Sequence, residues 1–450
     1  MQSLVSFTLG QGRATHTLKH TPIVIVKTPP LTSTTLTFPA TIHRLESGLT
    51  VVHHAMPASA AVVADIWVNA GAAREPLPWL GMAHFLEHMV FKGTERLLPG
   101  MFDDAIETRG GFSNAATSHD YAHFYIALAA EALADTLPYL ADLVLHAAIP
   151  ADEFVRERQV VLEEIRRAQD DPDWIGFQAL SEQIFPDHAY GRPVLGTAEG
   201  LSQRSPEEMR CFHQGYYQPE NMTVVIAGGV PLEPTLEMVR HAFRAFPTPP
   251  ADLPRPADTI EPWWGVRRQV LQVPRLEHAR LMMAWLGPGV EDLDAACGMD
   301  LLSTLLAEGR SARLVRELRE ERQWVLDIVG SFSLQRDCSL FTLQAWLEPD
   351  KVDAVEALIC DRLSALAQQP VAPGELERAK RLLINDFAFS TETPGQVAGL
   401  YGYYSVVAAA ADSYAYPARI QAHTPQSLAR LTQQFLSANA YASTVLLPAH

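Results

Sequence analysis

The sequence has no apolar run of about eighteen residues, the length a membrane-spanning helix needs, so no membrane span is expected. Its greasy stretches, such as Tyr125 to Ala130, are short enough to be core strands or helix faces. Cysteine is scarce. Cys211, Cys297, Cys338 and Cys360 show no short spacing, which argues against a paired-cysteine metal site or a disulfide framework. Free thiols in a reducing compartment are the expectation. Basic residues are also short, 35 against 52 acidic ones, for a formal charge of −17. That balance argues against a nucleic-acid binder, which shows a basic face. It suits a basic substrate drawn to an acidic cleft, although solubility alone accounts for it. Acidic residues are absent before Glu46, and the preceding stretch is rich in Ser and Thr. It lacks the layout of a secretory signal and is poor in Arg for a transit peptide. The expectation is a cytoplasmic protein with a loosely packed N-terminal extension, residues 1–38; an organelle is the alternative.

What is present is the composition of a globular chain, 48% apolar and 19% charged over 450 residues. That length predicts two domains. A proline cluster, Pro247, Pro249, Pro250, Pro254, Pro256 and Pro262, marks residues 246–264 as a linker. It separates 39–245 from 265–450, and the two halves repeat each other. Ser205 to Tyr216 followed by 221–227 reads as helix, turn and β-branched strand, and so does 426–436 followed by 442–448. Near the starts, Ala64 to Gly71 corresponds to Leu281 to Gly287. The helix over 81–93 corresponds to 298–309. Polar residues of the first helix are replaced by Leu301, Thr304 and Leu305 in the second. The fold class read from this is α+β, two homologous domains, each a mostly antiparallel sheet packed by helices, with chemistry confined to the first.

His84-Phe-Leu-Glu-His88 carries that chemistry. Helix positions three and four apart share a face, so both imidazoles and Glu87 point the same way. Two imidazoles with a carboxylate suit zinc, which in catalytic sites takes three protein ligands and keeps one position open. Burying such groups without partners would cost several kcal/mol. The third ligand is sought on the helix 152–166. Glu157 and Glu164, seven apart, share a face beside Val161 and Ile165, and Glu163 points elsewhere. Read alone, that helix is rather a charged surface helix whose Arg156, Arg158 and Arg166 pair with these acids.

The pentapeptide is the inverted zinc motif of the inverzincins, and its surroundings resemble the pitrilysin, insulinase and mitochondrial processing peptidase family. The resemblance rests on Gly81 to Thr94, Gly110 to Thr117 with Asp120, Glu157 to Ile165 with Asp171-Pro172, His188 to Pro193 with its continuation to Thr197, and Tyr217 to Met222. It spans about residues 40–450 and is strongest in the first half. It implies zinc held by His84, His88 and Glu164, with Glu87 as the base that activates water. It implies that Glu157 is a second acid orienting a ligand or the water. Asn114 and Ala115 would lie on a strand that pairs with the substrate backbone.

In single-chain relatives the second half carries an arginine and, seven residues on, a tyrosine that bind substrate. Here Arg319 is present, but Leu326 stands where the tyrosine belongs. The resemblance therefore implies a zinc endopeptidase acting on unfolded peptides or presequences. It also implies a homologous partner subunit that lacks the zinc motif and supplies the pair, or else a homodimer. A non-catalytic subunit and a zinc hydrolase of small substrates are the competing functions.

Overall fold

A computed structural model describes residues 38–253, 265–274 and 276–449. Among them eleven strands form two sheets. The first contains β1 (Thr41–Arg44), β2 (Thr50–Ala55), β3 (Ala61–Val68), β4 (Phe112–Thr117), β5 (Ala122–Ala129) and β6 (Met222–Gly228). Its spatial order is β1-β2-β6-β3-β5-β4. The second contains β7 (Val266–Val273), β8 (Ala279–Gly287), β9 (Val325–Leu334), β10 (Ser339–Leu347) and β11 (Tyr441–Pro448), in the order β7-β11-β8-β10-β9.

Without β1 the two sheets have one topology. The pairs β2–β6 and β7–β11 are parallel, and every other pairing is antiparallel. The strand after each terminal helix therefore inserts beside β2 or β7. The expected α+β fold of two mostly antiparallel sheets is what the structure shows.

Residue pattern explains the layers. Along β5, buried Ala122, Phe124, Ile126 and Leu128 alternate with half-buried His123, Tyr125 and Ala127. One face of the first sheet thus packs against the helices Met82–Val90 and Leu133–Leu145. β6 (MTVVIAG) is buried throughout and lies inside the sheet, where both faces are covered.

The covering of the second face crosses the halves. The helix Pro394–Val407, from the second half, lays Val397, Ala398 and Tyr401 on Val63, Trp67, Val225 and Ala227 of the first sheet. Reciprocally, Leu180 and Ile184 of the helix Pro172–Ile184 pack on Met282, Ala284 and Ala442 of the second sheet. Each half lends a helix to the other, so the packing does not divide where the two sheets do. Of the linker read over 246–264, Phe246 and Leu253 pack on the first core, and residues 254–264 lie outside the described residues. The extension read over 1–38 lies outside them too, save Phe38, whose ring meets Tyr401.

Candidate metal centre

The helix Met82–Val90 is amphipathic over only nine residues. Met82, Phe85, Leu86, Met89 and Val90 are buried against the sheet, leaving His84, Glu87 and His88 on the opposite side. Its start is fixed by Gly81 and by Glu75, the second of which the sequence reading passed over. Gly81 has φ 87°, and a Cβ there would lie 2.7 Å from the Leu195 carbonyl oxygen, so only glycine fits. Fully buried Glu75 accepts the N–H groups of Gly81 (2.8 Å) and Ala83 (2.6 Å), satisfying donors the first turn leaves open. Burial pushes the Glu75 carboxyl up to about 8, against the two backbone donors and the Arg192 charge, which lower it.

The long helix Ala151–Gln169 crosses this face. It brings Glu164 Oε2 to 3.6 Å from His84 Nε2 and 3.4 Å from His88 Nε2. Ligand atoms of His84, His88 and Glu164 all lie within 4.8 Å of one another. Bond lengths of about 2.1 Å in a tetrahedron give donor separations of roughly 3.4 Å, so this donor set has the size and chemistry of a zinc site. His84 Nδ1 is buried and has no hydrogen-bond partner among the described residues. Glu163 faces away, half exposed and paired with Arg166 and Arg167.

Glu157 lies one turn-pair earlier on the same face and accepts from His88 Nδ1 at 2.9 Å. Its other oxygen meets Lys92 Nζ at 2.6 Å, a partner the sequence reading missed although Lys92 is one helical turn after His88. Arg158, expected to pair with the acids of its helix, instead donates to the carbonyls of Ser202 and Arg204. Arg156 pairs with Glu153, which leaves Glu157 to His88 and Lys92.

The electrostatics separate the two histidines. Burial, with the neighbouring His88 charge, holds His84 down at about 4. His88 also loses solvent, but hydrogen bonds to Glu164 and Glu157 outweigh that and lift it to about 9. Glu164 is lowered chiefly by its hydrogen bond to His88. Burial raises Glu87, and the Thr117 hydroxyl, donating to Glu87 Oε2 at 2.6 Å, opposes that rise.

Thr117 ends β4, the outer strand of the first sheet. Asn114 and Ala115 lie on that strand, as expected, and Asn114 Oδ1 accepts the Ala115 N–H at 2.9 Å. Arg319 sits in a π-helical turn, Val315–Glu321. Its guanidinium is held by Glu320 Oε1 (2.9 Å) and Asp327 Oδ1 (2.9 Å) of its own chain. Leu326 is 54% exposed on β9.

Comparison with known proteins bears on the family of the chain. Residues 50–198 match the Insulinase (Peptidase family M16) model, and residues 204–383 match the Peptidase M16 inactive domain model. An uncharacterized zinc protease of Mycobacterium bovis is 31% identical over 345 residues, 75% of this chain and 76% of that protein. The crystal structure of a protease from Helicobacter pylori superposes with a TM-score of 0.86 at 25% identity, over 91% of this chain and 99% of that one. The periplasmic protease PqqL from Escherichia coli superposes with a TM-score of 0.77 at 18% identity, and there the match spans 91% of this chain and 48% of PqqL. With the inverted pentapeptide on its helix and both domain models matched in order, the chain belongs to the insulinase family of peptidases, M16.

Proposed function

We propose that this chain is a zinc-dependent endopeptidase that hydrolyses peptide bonds in unfolded peptides or presequences. The observation that carries the reading is the convergence of His84, His88 and Glu164 donor atoms beside Glu87. His84, His88 and Glu164 would hold the metal, and Glu157 would fix the His88 ring through its Nδ1–H. When bound, zinc lowers the pKa of a water molecule and polarises the scissile carbonyl. Glu87 takes the proton of the attacking water and returns it to the leaving amine. Thr117 holds the Glu87 carboxylate toward the cluster. The open edge of β4 around Asn114 and Ala115 receives the peptide backbone by strand addition.

The partner belongs to the same proposal. Arg319 would have to leave Glu320 and Asp327 to reach a peptide, and Leu326 offers no hydroxyl. A homologous subunit bearing an arginine–tyrosine pair therefore completes the site, with a homodimer as the alternative.

The test is cleavage of a mixed set of unstructured peptides by the zinc-supplied chain, with and without chelator, beside Glu87→Gln. Chelator-sensitive cleavage, lost in Glu87→Gln while zinc stays bound, is the expected result. Near-normal turnover by Glu87→Gln would remove Glu87 as the base. Stoichiometric zinc without cleavage would favour a partner-dependent subunit.

A further inference from the structure

The face of the first sheet opposite the metal cluster carries a row of rings. Phe112 meets Tyr125 edge-on at 6.1 Å, and Tyr125 stacks on His123 at 5.8 Å and 17°. His123 in turn stacks on Trp67 at 4.2 Å and 24°. The row is pinned from beneath. Asp65, only 3% exposed, accepts the His123 Nδ1–H at 3.0 Å, which fixes the imidazole in its stack. The borrowed helix Pro394–Val407 covers Trp67 and the β3–β6 part of this face. Over β4 the row is open: Phe112 is 58% exposed and Asn114 is exposed, while on β5 the His123 side chain is 16% exposed and Tyr125 packs partly against the edge of that covered cluster.

Register places this row against any strand added to β4. Ser118 N–H donates to the Tyr121 carbonyl at 2.8 Å, so Ser118 and Tyr121 form a hydrogen-bonded pair. Such pairs alternate along an antiparallel ladder, which makes Ala116/His123 and Asn114/Tyr125 hydrogen-bonded as well. Ser113, Ala115 and Thr117 therefore turn their backbone groups to the open edge. Side chains of an added strand alternate between the two faces. Those on the helix face share it with Ala115, Thr117 and Glu87. Those between lie on the other face beside Phe112, Asn114 and Ala116. Diagonal neighbours on β4 at about 7–8 Å are within reach of an aromatic side chain; the β5 rings lie one strand further, at about 9–10 Å, and opposite His123 only the methyl group of Ala116 intervenes.

We propose that Phe112, Tyr125 and His123 form a specificity subsite for an aromatic side chain of the bound peptide, on the sheet face opposite the metal cluster. The proposal rests on strand addition at β4 under the peptidase reading. Its occupant is a flat apolar ring, because the row offers ring faces and edges for offset or edge-to-face contact. The carboxylate that pins the row, that of Asp65, is already engaged with His123.

The experiment uses peptides identical but for one position, scanned with Phe, Leu, Arg or Asp, on the zinc-supplied chain in the assembly in which it cleaves. The expected result is one position whose side chain falls on the face away from the metal cluster, where Phe raises kcat/KM about tenfold over Leu and more over Arg and Asp. That Phe-to-Leu ratio falls toward one in Phe112→Ala, whose ring is on the surface, and in His123→Val. A ratio unchanged in both variants, no aromatic preference at any position, or a preference for Arg would overturn the subsite alone. Absence of chelator-sensitive cleavage of every peptide in every assembly would overturn the peptidase reading, and the subsite with it.

Discussion

Glu157 binds His88 Nδ1 through one oxygen and Lys92 Nζ through the other. The carboxylate is thus fixed from two sides and directs the remaining nitrogen of His88 at Glu164. Partners that orient a ligating imidazole typically account for 10- to 100-fold in metal affinity. Glu157→Ala is therefore expected to weaken zinc binding by about that factor. Lys92→Met, which frees one Glu157 oxygen but leaves the other on His88, should cost less. Competition with a chelator of known affinity measures both. Equal affinities for Glu157→Ala and the unaltered chain would remove Glu157 from the site.

Thr117 acts on Glu87 rather than on metal. Its hydroxyl opposes the upward push of burial on that carboxyl. Removing the hydrogen bond in Thr117→Val raises the Glu87 pKa further. The base is active when ionised, so the acid limb of the kcat/KM profile moves to higher pH in this variant. Thr117→Ser keeps the donor and should restore the limb. An unmoved limb in Thr117→Val would show that Glu87 does not set it.

The pentapeptide and the acid-bearing helix were legible because their chemistry is local. His84, Glu87 and His88 share one helix face, and Glu157 and Glu164 share another. That Asn114 lies on a strand was expected only through resemblance, and the structure places that strand at the edge of its sheet. The supports were not legible, since they join distant segments. Glu75 caps a helix that begins seven residues later, Thr117 reaches Glu87 across 30 positions, and Asp65 pins His123 across 58. The lent helices were invisible for a different reason. The apolar face of Pro394–Val407 reads the same whichever sheet it covers, and nothing periodic in it names the first sheet.

Metal binding must displace a proton. His88, lifted to about 9 by Glu164 and Glu157 after the loss from burial, carries its proton at neutral pH in the metal-free chain. His84, held at about 4, does not. A metal ligand must be neutral imidazole, so zinc binding at pH 7 should release about one proton. Apparent affinity should rise as pH rises toward about 9 and level off above it. Calorimetric titration at pH 7 in two buffers of different ionisation enthalpy counts the protons. A count near zero would show that Glu164 and Glu157 do not hold His88 charged; a count near two would assign a proton to His84 as well.

The lent helix depends on one glycine. A Cβ at Gly402 would lie 1.9 Å from Trp67 Nε1 and 2.2 Å from Cε2, inside a rigid indole already stacked on His123. Neither ring nor helix backbone has room to yield, so Gly402→Ala must shift the helix off the sheet. Overpacking of this kind costs about 1–3 kcal/mol, partly offset by roughly 1 kcal/mol of helix propensity gained on replacing glycine. Gly399 lies in the same helix, and a Cβ there meets nothing within 4 Å. Gly399→Ala takes the propensity gain without the clash. The pair should therefore move in opposite directions in a thermal melt, Gly402→Ala downward with a change in Trp67 emission, and Gly399→Ala slightly upward. Zinc affinity should survive in Gly402→Ala below its melting range, because the metal cluster lies across the sheet from this contact. If Gly402→Ala melts with or above Gly399→Ala, the helix does not dock through Trp67, and the crossed packing of the two halves is held elsewhere.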